Sequence, residues 1–391
     1  MASHSRRPGQ PGSPWHRYAA GACTAAPERR PASRVTRVTD LLARTADLVA
    51  IRSESHDEAA LADHVQQRLS EAGGLAIERM GDNVVARTNL GRDQRLVVAG
   101  HLDTVPANDN AEPKIDGDVL WGLGAADMKG GLAVMLELAT AVSDPAVDVT
   151  WVFYTAEEVA AEDNGLGHLF AQRPDLVAGD AAILGEPTDA ALEVGCQGTM
   201  RVQVTFRGAR AHTARPWMGR NALHRAGRLL AALDEYQERR PVLDGCEYRE
   251  ALQAVFAQGG VAGNVVPDVA VVTLNHRFAP DRTSDEARDH VASVVDPYLA
   301  EGDQFEMIDV AGAAPPGLTH PLLASLRDRG QRPVRAKLGW TDVSRFAAAG
   351  IPAVNFGPGD STLAHTKDER VERRSLDEVH RALGDLLRLG P

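Results

Sequence analysis

Apolar positions along this chain recur in two rhythms, one near 3.6 residues and one of short continuous or alternating runs. The helical rhythm covers Asp40 to Ile51, with Leu41, Leu42, Leu48, Val49 and Ile51, and then Glu58 to Glu71, where Leu61, Val65 and Leu69 share a face. Gly73-Gly74 is a stop signal for the second helix. Strands are predicted at Leu75 to Arg79, Asn83 to Thr88 and Arg95 to Ala99, followed by a helix over 127–142 carrying Leu132, Met135, Leu136 and Ala139. Val149 to Tyr154 and Asp180 to Leu184 read as buried strands on either side of a short helix at Asn164 to Gln172. Strands alternating with helices predict an α/β sheet.

The texture changes near Gly198. Met200 to Phe206 alternates as a half-buried strand, Asn221 to Tyr236 is helical, Ala251 to Gln258 and Val269 to Phe278 are strand-like, and Ser284 to Leu299 is helical. This order predicts a ferredoxin-like insert of about a hundred residues. From about Gln304 the first domain is expected to resume, with a helix at Asp342 to Ala349, a strand at Ala353 to Phe356, and a last helix opened by a capping box at Ser375-Leu376-Asp377-Glu378. The expected organisation is an extension at 1–34, a catalytic domain at 35–197 and 306–391, and an insert at 198–305. The segment Pro8 to Pro31, rich in Pro, Gly, Arg and Ala, is expected to be disordered or to reflect an early start assignment.

Composition narrows the class. The 391 residues are 43% hydrophobic and 25% charged, as in a soluble globular protein, and the net charge of -12 argues against nucleic acid as a partner. No apolar run reaches the roughly 18–20 residues that span a membrane. Cys23, Cys196 and Cys246 form no C-x-x-C and no even framework, which predicts a reducing, cytoplasmic setting.

The chemistry gathers at element ends. His101 and Asp103 close the strand at Arg95 to Ala99, Glu157-Glu158 follow Tyr154, and Glu186 follows Leu184. Asp127 opens a helix, and His365 sits in a loop without apolar periodicity. Open α/β sheets place ligands at such strand ends. Two histidines and three carboxylates can give each of two divalent ions one histidine and one terminal carboxylate, with one carboxylate bridging. A bridging hydroxide would neutralise the remaining charge. Ions about 3.5–4 Å apart generate hydroxide near neutral pH and polarise a carbonyl. One carboxylate of the Glu157-Glu158 pair is left to act as base. Gly122-Leu123-Gly124 could suggest a dinucleotide turn, but the third glycine is misplaced and Trp121-Gly122 is not expected to be a strand.

The motifs G-H-L-D-T-V-P, G-A-A-D-M-K-G-G, T-A-E-E, L-G-E-P-T and L-A-H-T together resemble the co-catalytic zinc aminoacylase and carboxypeptidase family, over residues 38 to 389. The resemblance implies a zinc-peptidase-like α/β catalytic domain with an inserted ferredoxin-like α+β lid and dimerisation domain. It implies amide hydrolysis of a small N-acyl amino acid by a homodimer, without nucleic acid or membrane. Asp127 would bridge two metal ions, most simply Zn²⁺ with Co²⁺ as an alternative. His101 and Glu186 would hold one ion, and Glu158 and His365 the other. Glu157 would be the base, Asp103 the partner of His101, and a cis peptide is implied between Asp127 and Met128. In the lid, G-A-R-A-H-T-A matches a stretch whose histidine, His212, reaches the partner subunit's oxyanion. Asn264 and Arg277 match substrate-binding lid positions, and Gln197, Thr199 and Thr341 are grouped with them. Some members carry arginine and serine where this chain has Gly195 to Thr199. Carboxylate recognition would then rest on Arg277, with Arg201 or Arg215, and the acyl group stays open between succinyl, acetyl and peptide-like substrates.

Overall fold

The computed structural model describes residues 40–391; the expected extension falls outside the described residues. The apolar runs found in the sequence become the middle of an eight-stranded sheet. Its order is Ala76–Met80, Asn83–Arg87, Asp148–Tyr154, Arg95–His101, Ala181–Leu184, Ala353–Asn355, Leu192–Val194 and Val334–Ala336. Arg95–His101 runs parallel to both neighbours, and Ala353–Asn355 is parallel to Ala181–Leu184. Because the sheet is covered on both faces, these strands are apolar on both sides. Leu96 and Val98 join one buried cluster with Leu132, Leu138, Leu376 and Leu383, while Val97 and Ala99 join another with Leu166, Leu169, Val343 and Phe346. The period of two along a strand divides four consecutive residues between two cores.

The helix Lys129–Ala141 is buried almost all round, which explains its broad apolar surface. Two glycines let it and a C-terminal loop close on the turn after Ala181–Leu184. A Cβ on Gly131 would lie 2.4 Å from the Gly185 carbonyl oxygen, and one on Gly357 would lie 2.2 Å from the same atom. No side chain fits between these segments, so the turn carrying Glu186 is held tightly against both.

The second sheet is antiparallel, in the order Ala251–Gly259, Val269–Phe278, Gly198–Arg207, Gln304–Ala311. Helices Ala222–Asp234 and Ser284–Val295 cover one face, and Met200, Val202, Phe206, Leu229, Leu274 and Val291 form a core separate from those of the large sheet. The first five elements follow the expected strand-helix-strand-strand-helix order, and Gln304–Ala311 adds a fourth strand paired with Gly198–Arg207. This edge strand hides its nature because its register shifts at Met307/Asp309 and both Met307 and Ile308 face outward. Cys196 bridges to Ala314, so the two chain crossings lie side by side.

Two smaller expectations also change. The last helix is Arg373–Leu389, three residues earlier than a capping box with Ser375 as N-cap would start it. The Ser375 hydroxyl instead accepts the backbone N–H of Gly359, tying the loop before His365 to the helix. Val119–Trp121 is a strand after all, between Lys114–Asp116 and Arg370–Glu372 in a three-stranded sheet. It pins the chain just after His365. Among the described residues no helix is long and apolar enough to cross a membrane.

Candidate metal centre and active site

The parallel core strands end together, and each end delivers a functional side chain to the same edge of the sheet. His101 is the last residue of its strand and 1% exposed. Glu157 and Glu158 follow Asp148–Tyr154 through Ala156, which has a positive φ of 57°. Glu186 lies two residues after Ala181–Leu184. Asp127 precedes Lys129–Ala141 across the cis peptide to Met128, as the sequence resemblance implied.

These side chains converge. His101 Nε2 lies 3.1 Å from Asp127 Oδ1, and His365 Nε2 lies 3.6 Å from Asp127 Oδ2. Each oxygen of one carboxylate therefore faces a different imidazole. His365 Nε2 is also 2.8 Å from Glu158 Oε1. Donor atoms of His101, Asp127 and Glu158 all lie within 4.8 Å of one another. Burial, then the Asp127 carboxylate, raises the pKa of Glu186 to about 7, and its Oε1 is buried without a hydrogen-bond partner. Burial raises Glu157 well above the usual carboxylate range; His101 opposes the shift, while Glu186, Asp342 and Glu158 add to it. His365 rises to about 9, chiefly through its hydrogen bond to Glu158. Imidazoles and carboxylates aimed at one point, with a buried oxygen unpartnered, fit a pair of borderline divalent cations.

Neighbouring carboxylates fix this arrangement. Asp103 Oδ1 accepts the N–H of Glu157 and Oδ2 accepts that of Glu158, each at 3.0 Å, and Ser55 Oγ donates to Oδ2 at 2.8 Å. His101 Nδ1 is 3.0 Å from the Asp103 carbonyl oxygen and 3.4 Å from Oδ1, which sets the ring's tautomer. Glu369 Oε1 accepts the N–H groups of Ala126 and Asp127, both at 3.0 Å, and Glu58 Oε1 accepts that of Ala156 at 3.1 Å. Neither Glu58 nor Glu369 was found from the sequence. Each looks there like one charge in a polar stretch, and only burial, 3% and 1% exposed, distinguishes them. Lys337 was also missed; it lies 2.9 Å from Glu193, and its charge bears on Glu186 and Asp127.

A cleft of about 300 Å³ opens beside this cluster. Glu157 and Glu158 line one wall, and Thr199, Arg201 and Arg277 of the second sheet line the other. Arg201 is paired with Asp309 at 3.0 Å. Arg277 is half-buried, and no partner is set against its guanidinium among the described residues.

Residues 97–389 match the model of peptidase family M20/M25/M40. The chain belongs to that family. It is 42% identical over 346 residues to succinyl-diaminopimelate desuccinylase of Corynebacterium glutamicum, covering 87% of this chain and 94% of that protein. A Mycobacterium tuberculosis protein carrying the name DapE is 50% identical over 350 residues, covering 88% of this chain and 98% of the relative. Among solved structures, a Staphylococcus aureus tripeptidase superposes with a TM-score of 0.74 at 20% identity, covering 90% of this chain and 97% of that one. A Bacillus subtilis M20 protein described as a dinuclear metal-binding peptidase does so with a TM-score of 0.64 at 16% identity, covering 89% and 96%. The chain is therefore a metal-dependent hydrolase with the M20 α/β fold.

Within this M20 chain not every expected substrate residue reaches the cleft. Arg277 and Thr199 do. Gln197 does not: it is 1% exposed, with Nε2 donating to the Arg249 carbonyl and Oε1 accepting the Arg249 N–H. Thr341 is 3% exposed and its hydroxyl donates to Asn355 Oδ1 at 3.0 Å. Both side chains are already hydrogen-bonded inside the protein. His212 and Asn264 are exposed on adjoining loops, joined by a bridge between His212 and Val265 and by the Thr213 N–H donating to Asn264 O. Neither lines the cleft of its own chain.

Proposed function

We propose that this M20 hydrolase removes the succinyl group from N-succinyl-LL-diaminopimelate, releasing succinate and LL-diaminopimelate. The observation that carries this reading is its 42% identity to the C. glutamicum desuccinylase across 94% of that protein. The cleft is consistent with it, since an unpartnered guanidinium faces the carboxylate cluster and can grip a substrate carboxylate in a fork. Asp127 would bridge two divalent ions, Zn²⁺ foremost with Co²⁺ also suited, His101 and Glu186 holding one and Glu158 and His365 the other. When bound, such ions polarise the amide carbonyl and make water acidic enough to attack it near neutral pH.

The chain's own residues do the remaining work. Glu157, on the cleft wall beside the cluster, takes the proton of the attacking water and delivers it to the leaving nitrogen. Asp103 keeps Nδ1 of His101 as the donor, so Nε2 faces the centre. Arg277 and Thr199 hold the acyl side of the substrate. Residues 198–311 act as a lid and as the dimer contact. Support comes from the edge strand Ala251–Gly259, whose Val255 and Phe256 are 59% and 53% exposed, with Val261 exposed just beyond it. His212, absent from its own chain's cleft, would donate to the oxyanion of the partner's site together with the grip of Asn264. The reaction is assigned to the cytoplasm, in keeping with Cys196 and Cys246 as buried free thiols. The test is turnover of N-succinyl-LL-diaminopimelate beside N-acetylornithine, with metal analysis of the same preparation. Faster hydrolysis of the acetyl substrate would overturn the assignment and favour a deacetylase.

A further inference from the structure

Inside the four-stranded sheet unit lies a second group of metal-capable side chains that hydrolysis does not use. Glu250 immediately precedes Ala251–Gly259, His276 lies on Val269–Phe278, and His290 lies on helix Ser284–Val295. One donor atom from each falls within 4.8 Å of the other two. Glu250 is 0% exposed and His276 is 1% exposed, while His290 is half-buried.

Their hydrogen bonding is one-sided. Glu250 Oε1 accepts from Arg239 at 2.6 Å, from Arg282 Nε at 2.9 Å and from the Ala279 N–H at 3.1 Å, yet Glu250 Oε2 is buried with no partner. His276 Nδ1 is 3.0 Å from the Ala251 carbonyl oxygen, which can only accept, so Nδ1 carries the proton. His276 Nε2 then presents a lone pair, and it too is buried without a partner. The His290 ring packs 5.4 Å from that of His276, and its Nε2 lies 2.7 Å from the Tyr236 hydroxyl. Leaving a buried polar atom unsatisfied costs about 1–3 kcal/mol, more for a charged group. Two such atoms, on residues whose donor groups gather within 4.8 Å of one another, mark a place built to be occupied.

The surrounding bonds are those of a metal site. Ligating histidines generally donate their other N–H to a carbonyl or carboxylate, and ligating carboxylates are themselves hydrogen-bonded. His276 and Glu250 satisfy both conditions. Asp281 pairs with Arg239 at 2.6 Å and offsets one of the two guanidinium charges beside Glu250. We propose that Glu250 Oε2, His276 Nε2 and a ring nitrogen of His290 bind one structural divalent cation of the zinc type, with water in the fourth position. Tetrahedral ligands about 2.0–2.1 Å from zinc stand about 3.3 Å apart, so small side-chain rotations close the site. The ion would clamp two strands of this sheet to one covering helix.

The test is a difference in stoichiometry, which does not depend on how many ions the hydrolytic centre holds. The full-length protein is stripped with a chelator, reloaded with Zn²⁺, desalted, and its zinc per chain counted beside His290→Ala and His276→Gln. Alanine is well tolerated on a helix and His290 is half-buried, so His290→Ala should fold. Each variant is expected to hold one zinc fewer than the parent, and Co²⁺ loading should lose one set of visible bands in parallel. Thermal unfolding of the parent should rise with Zn²⁺ by a margin that His290→Ala lacks. Equal zinc content in the parent and in His290→Ala would overturn the proposal, whatever the absolute count.

Discussion

Replacing Arg277 tests the recognition half of the proposal with little disturbance to the fold. The guanidinium lines the cleft opposite Glu157 and Glu158, and burial pulls its pKa below the ordinary arginine value. A partly desolvated cation without an internal partner gains most when a substrate carboxylate arrives. Hydrogen bonds to charged groups contribute about 1.5–3 kcal/mol. At about 1.4 kcal/mol per tenfold, Arg277→Ala should lower kcat/KM for the succinyl substrate by roughly 10- to 150-fold. Most of the loss should appear in KM, because the bond is present in both ground and transition states. Arg277→Lys keeps the charge without the fork and should fall between the two. The assay is steady-state hydrolysis of N-succinyl-LL-diaminopimelate and an N-acetyl substrate by the three proteins, with thermal unfolding as a control. The acetyl substrate, lacking the distal carboxylate, should lose far less. Stability should change by no more than about 0.5 kcal/mol, as for substitutions away from buried networks. An equal loss on both substrates, or a large drop in stability, would show that Arg277 organises the cleft instead of reading the acyl group.

Three further outcomes are expected. Glu157→Gln should keep its full metal content while kcat falls about 10²–10⁴-fold, whereas Glu158→Gln should lose metal because it removes a ligand; metal analysis showing the opposite pattern would exchange the two roles. Asp103→Asn should lower metal affinity or activity about 10- to 100-fold, measured by competition with a chromophoric chelator, and an unchanged affinity would remove Asp103 from the positioning of His101. Mixing inactive Glu157→Gln and inactive His212→Ala proteins should restore part of the activity once subunits exchange, because one site per mixed dimer is then complete. Exchange without recovery would refute a role for His212 across the dimer.

The parts legible in the sequence are those where one residue run carries its own pattern. Leu96 to Ala99 and Val149 to Tyr154 are continuous apolar runs, and both are central strands. His101, Glu158 and Glu186 could be found because each sits at or just past the end of such a strand, Asp127 because it opens an apolar helix, and His365 because its loop has no core pattern. Their individual roles came from the family resemblance, since spacing alone does not say which carboxylate bridges. What escaped was short or defined by partners distant in sequence. Leu192–Val194 and Val334–Ala336 are three-residue strands, too brief to display a period. Gln304–Ala311 is an outward-facing edge, so its alternation is lost. Gln197 stands within a motif, but its direction is set by Arg249, fifty-two positions away. Glu369 acts through the backbone of Ala126 and Asp127, some 240 residues earlier, and no local pattern reports that.

The same contacts explain why acidic side chains that hold no metal candidate position cannot be traded for amides. Around Asp103 every approaching group is a donor: the N–H groups of Glu157 and Glu158, the Ser55 hydroxyl, and the Nδ1 side of His101. An ionised carboxylate offers only acceptors and can meet all of them, whereas an asparagine would turn an NH₂ toward at least one donor. Glu369 faces two backbone N–H groups with one oxygen for the same reason. The strand carrying His101, the turn carrying Glu157 and Glu158, and the loop carrying Asp127 are thus registered to each other by carboxylates anchored on backbone. Backbone amides cannot rotate away as side chains do, so this geometry is set by the fold itself. Divalent ions would then complete a site whose donors already face inward, and this is the condition under which electrostatic preorganisation is effective.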